Sequence, residues 1–131
     1  DRFSAYPNQN FDAGAYMRVR AKVNGLFDEL KQLPANSPRR AEIIKDHPQI
    51  GAVKNSIDIA EANLRAIRGQ LATIENSAYQ AKLAGKMELY DKYEAQAVTF
   101  RNSEKAAEKV LFGGAVQMAN KAGFRREILS E

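Results

Sequence analysis

Eight apolar side chains recur in an unbroken three–four alternation: Ile50, Val53, Ile57, Ala60, Leu64, Ile67, Leu71 and Ile74. A helix turns about 100° per residue, so these steps hold all eight on one narrow stripe. A strand, with its period of two, would scatter them over both faces. The stripe is an a/d repeat sustained for more than three heptads, and it predicts one long amphipathic helix over residues 48–84. Lys54, Asp58, Glu61, Arg65, Arg68 and Glu75 lie between the apolar positions. Glu61 and Arg65 are ordered for an i,i+4 pair.

The remaining segments read as helices too. Ala15, Val19, Val23, Leu26, Phe27, Leu30 and Leu33 share one face of a helix predicted over residues 12–33. Pro34 ends it, because proline disfavours a helical residue before it. Ser37 is placed to cap a short helix, residues 38–45, with Pro38 at its first position. Asp46-His47-Pro48 punctuates the chain again. Residues 86–122 carry rougher apolar stripes, weakened at Gly113-Gly114, and Gly123 suits a helix C-cap. Residues 1–10, with Pro7 and Asn8, read as an extended lead-in in which Phe3 and Tyr6 anchor on the helical body. No segment alternates in the manner of a strand. The expected fold is all-α: one module across residues 1–131, an antiparallel helical hairpin or bundle of three to five helices. It begins with Asp1 and reads as part of a longer chain.

Composition excludes several classes of function. The chain has no cysteine, which removes disulfide scaffolds, thiolate metal sites and cysteine nucleophiles. Twenty basic and 16 acidic side chains leave a net charge of +4, spread along the chain and not gathered in an arm. No apolar run is long enough to span a bilayer, so no stable membrane span is expected.

Motifs for catalysis are absent, and no catalytic residue, metal ligand or cofactor is assigned. His47 is the single histidine and reads as a cap or surface residue. Glu88, Asp91 and Glu94 recur every three residues, but Lys86 and Lys92 interleave them, as on a solvated helix face. No phosphate-binding glycine motif or nucleophile elbow occurs. Gly113-Gly114 precedes no Lys-Ser/Thr pair and reads as a hinge or close-packing point.

Two surfaces remain. The first is the stripe, extended by Val110, Leu111 and Met118. Such a stripe is a seam either between helices of one chain or between chains. The apolar faces of the first and fourth helices favour an internal seam. The narrowness of an a/d stripe keeps the other use open. The second surface is basic: Arg39, Arg40, Arg65 and Arg68 are candidate phosphate contacts, should the fold gather them.

The order of features resembles a helical domain of large polyvalent bacteriophage proteins. The elements that carry the likeness are Arg2-Phe3, Phe27-Asp28-Glu29-Leu30, His47-Pro48, Leu64-Arg65-Ala66-Ile67-Arg68 and the lysine-rich helix from Lys86. They cover roughly residues 1–110. The resemblance implies a phage protein carried in the particle and delivered with the DNA, so present in the virion or in host cytoplasm or periplasm during delivery. The expected function is non-enzymatic: an assembly module of a virion-associated, internal or DNA-ejection protein, acting by helix–helix association. Its expected partners are other copies of itself or other virion components. The alternative is a helical protein that binds nucleic acid, DNA included, without sequence preference.

Overall fold

The computed structural model describes residues 6–129, with side chains described from residue 13. It is all-α: α1 (Tyr6–Gln32), α2 (Pro38–Asp46), α3 (Ile50–Leu83), α4 (Met87–Lys109), a π-helical turn (Val110–Gly114), α5 (Ala115–Lys121) and α6 (Arg125–Leu129). No strand occurs among the described residues. The chain divides into two compact units where one was expected. Of the described residues, 6–59 and 110–129 form the first, and 60–109 the second.

The lead-in expectation is corrected from Tyr6 onward, since α1 already begins there. Pro7 does not prevent this. In the first helical turn its missing amide hydrogen has no intrahelical acceptor to lose. The proposed anchoring by Phe3 lies outside the described residues, as does the Tyr6 side chain. Ser37 and Pro38 do cap and open α2, and the Ser37 hydroxyl accepts from the Arg40 amide at 3.4 Å. The single helix expected over residues 86–122 is interrupted at Val110–Gly114, where the backbone widens into a π turn. Gly113 and Gly114 sit in that turn, and Gly114 keeps right-handed helical angles, φ −67° and ψ −43°.

In the first unit, α1 packs against the π turn, α5 and α6. Ala15, Val19, Val23, Leu26 and Leu30 of α1 are buried, as the spacing predicts, and Tyr16 joins them. The Tyr16 ring meets Phe112 of the π turn, with centroids 5.3 Å apart. Ile43, Ile50, Val53 and Ile57 add to the core, and Phe124 is its largest fully buried side chain. Lys54 donates to Asn24 at 2.9 Å, tying α1 to the start of α3.

α6 is short, and Arg18 holds it. Its guanidinium donates to the carbonyls of Glu127 at 2.7 Å and Ile128 at 2.9 Å. Those are carbonyls that the end of a helix leaves without intrahelical donors. Gly123 makes the turn into α6 at φ +87°, and the Phe124 amide closes on the Ala119 carbonyl. This is the left-handed glycine C-cap.

The second unit is an antiparallel hairpin of α3 and α4. Its cross-helix partners run in opposite directions. Arg68 reaches Glu104 and Glu108, Glu75 reaches Arg101, and Lys82 lies over the Tyr90 ring. Leu64, Leu71, Ala78 and Ala81 of α3 are buried with Ala97 and Ala107 of α4. Small side chains at so many of these positions suit close helix approach. At the bend, Gly85 adopts φ +73°, its amide bonds Lys82, and the Lys86 amide bonds Ala81. That pair of bonds is a Schellman closure.

Candidate interaction surface

The apolar stripe that predicted α3 is used inside the two units. Ile50, Val53 and Ile57 are buried in the first, and Leu64 and Leu71 in the second, while Ile67 and Ile74 are half-buried. Leu111 is buried and Met118 half-buried. Only Val110, at 66% exposure, stands free as an interaction-face residue should. The buried members already face neighbours of their own chain, so the expectation that they form a surface for another chain is corrected. A stripe shows that a helix has a partner. It does not say whether that partner belongs to the same molecule.

The four candidate phosphate contacts are not gathered into one free patch. Arg39 donates to Glu29 at 2.7 Å and to Glu42 at 2.6 Å. These hydrogen bonds, Glu29 first, raise its pKa above the ordinary arginine value. The same bond holds the Glu29 carboxyl below the ordinary glutamate value. Arg68 donates to Glu104 at 2.8 Å and Glu108 at 2.6 Å, which also raises its pKa, Glu104 leading. Arg40 donates to the Leu30 carbonyl at the end of α1, at 3.0 Å. Arg65 is exposed. Three of the four arginines therefore serve intramolecular acceptors.

His47 is neither a free surface residue nor a cap alone. It is half-buried and stacks on Phe124 with centroids 4.0 Å apart and planes 17° from parallel. Its Nδ1 lies 3.3 Å from the Ala122 carbonyl oxygen. Its backbone amide also closes α2 on Ile43. The sequence held one signal for this contact, Gly123-Phe124 after a helix, but nothing local named His47 as its partner.

Among the described residues no group of three histidines or carboxylates could hold a metal ion. Glu88 and Asp91 are exposed and Glu94 half-buried. No helix among the described residues is long and apolar enough to cross a membrane.

What the hairpin leaves open is more informative. Its α4 has 23 residues, yet its fully buried side chains are the alanines Ala97 and Ala107. Met87, Leu89 and Val98 of the same helix are exposed, Val98 at 52%. Near the bend Tyr79 and Leu83 of α3 are exposed as well. An open cleft of about 430 Å³ lies beside the bend, lined in part by Ser77, Gln80, Ala84, Lys86, Leu89 and Tyr93. Its lining offers amides, the Ser77 and Tyr93 hydroxyls, the Lys86 ammonium and apolar edges, and contains no carboxylate or imidazole. That set can bind a side chain.

No family model, curated protein or solved structure matches the chain. The exposed side of the hairpin therefore has to be read on its own chemistry. Scattered single apolar residues are ordinary on a protein surface. Here five large ones are exposed within one two-helix unit, and Met87 and Val98 fall on the same side of α4 by helical rotation.

Proposed function

We propose that this chain is a non-enzymatic helical assembly module that works through helix–helix association. The observation that carries the reading is α4, whose fully buried positions are alanines while Met87, Leu89 and Val98 stay exposed. Leu89 lies on the seam side of α4, in line with Ala107, whereas Met87 and Val98 lie outside the seam and gain by burial against a further helix. Full burial of such a side chain from water contributes about 1.5–3 kcal/mol, and about half of that remains to be gained at Met87 and Val98, which are half exposed. The resemblance to a domain of large phage polyvalent proteins supplies the setting we attach to this: a virion-associated protein of the internal or DNA-ejection type, whose partners are virion components or further copies. The interaction surface we assign differs from the α3 stripe, because the stripe's side chains are largely buried within their own units.

The test is mass in solution across a concentration series. The wild-type chain is expected above 14.6 kDa. Replacing Leu83, Met87 and Val98 together by Asp is expected to return it to that mass with helicity unchanged, since all three are exposed. A wild-type chain that stays at monomer mass at every concentration, and with every added virion component, would overturn the reading.

A further inference from the structure

We propose that the outer face of α4 is a symmetric dimer interface, pairing antiparallel with the same face of a second copy about a two-fold axis at Val98. This deepens the association reading and rests on it. Glu88, Asp91, Val98, Lys105 and Lys109 are all exposed. At 100° per residue they fall within about 100° of arc, turned away from the seam that buries Ala97 and Ala107. Their order along the helix is acids, then Val98, then lysines.

That order is self-complementary. Asp91 lies seven residues before Val98 and Lys105 seven after it, two helical turns either way. Antiparallel pairing about Val98 sets each Asp91 against Lys105 of the other copy. It also brings each Glu88 near the other copy's Lys109. A two-fold axis makes every such contact twice. Val98 then meets its own equivalent at the centre. Ala95 and Asn102, three residues before the centre and four after it, are exposed and small enough for close approach.

Of the other charges of α4, Glu94 lies about 40° from Val98 by the same rotation; it falls in the acidic half, and in this register it meets the uncharged Asn102 of the second copy. Arg101, Glu104 and Glu108 are bound across the hairpin to Glu75 and Arg68. Lys92, the cation in the acidic half, sits roughly 100° from the middle of the face by the same rotation per residue. Complementing the helix dipole is not a sufficient reason for the order. That effect fades within the first and last turns, whereas Asp91 and Lys105 stand beyond them. Lys109 is not at a helix end either, since the backbone runs on through the π turn into α5.

Two charge-reversed chains test the pairing, one with Glu88→Lys and Asp91→Lys, the other with Lys105→Glu and Lys109→Glu. Sedimentation is expected to find the wild type at twice 14.6 kDa. Each variant alone should be monomeric, because like charges then face each other at both ends. The equimolar mixture should regain the dimer mass, and its dissociation constant should rise at least tenfold at high salt. Recovery in the mixture also shows that both variants fold. Variants that each dimerise like the wild type would overturn this interface and leave the association reading standing. A mixture that stays monomeric would overturn the register. A monomeric wild type would overturn the second copy as occupant.

Discussion

Gly123→Ala should be among the most damaging single-methyl changes in the chain. Gly123 stands at φ +87°, and an added Cβ would overlap the Asp46 carbonyl oxygen and lie 3.1 Å from His47 Nδ1. Two costs follow. A side chain in left-handed backbone costs about 1–2 kcal/mol. The overlap is with backbone, which cannot rotate away, so relief requires the α2 end and the α5–α6 turn to separate. Overpacking of that kind adds about 1–3 kcal/mol, for a total near 3 kcal/mol. Gly85→Ala is the internal control. Gly85 is also left-handed, at φ +73°, but has nothing within 4 Å of the added atom, so it should lose only the first part, about 1–2 kcal/mol. Hydrogen exchange read peptide by peptide suits the comparison, because it reports local opening where each glycine sits. The α5–α6 amides should lose more protection in Gly123→Ala than the α3–α4 amides lose in Gly85→Ala. Equal losses would refute the close approach at Asp46.

Three further outcomes are expected. Arg18→Met should free α6, whose Glu127 and Ile128 carbonyls lose their charged donors, at about 1–3 kcal/mol; faster trypsin cleavage after Arg125 and Arg126 measures it, and unchanged cleavage would count against the clamp. Leu64→Asp should unfold the hairpin and not merely dissociate chains, since Leu64 is 3% exposed; circular dichroism showing full helicity in a monomer would restore the stripe as an inter-chain seam. Glu29 titrates below its ordinary value because Arg39 hydrogen-bonds it. It therefore contributes stability present above pH of about 4.5, the unfolded value, and lost as pH falls through the lower folded value. Arg39→Gln should flatten that acid limb in low-salt unfolding curves, and an unaltered limb would exclude the pair as its source.

The sequence by itself determined that α3 exists and which of its residues seek cover. Period is a local property, and eight apolar groups in three–four steps admit no other regular element. Ser37-Pro38 likewise announced the start of α2, since a cap acts within four residues. Tertiary structure decided everything that depends on where the chain returns. It divided the expected single module into two units and gave the stripe partners within them. It placed Phe124 under His47, 77 positions away. It also turned Arg39 and Arg68 from candidate phosphate contacts into intramolecular ties. Helical spacing allows the Arg39–Glu42 pair, three residues apart, but the Glu29 and Glu104 partners lie on other helices, and only packing brings them within 3 Å.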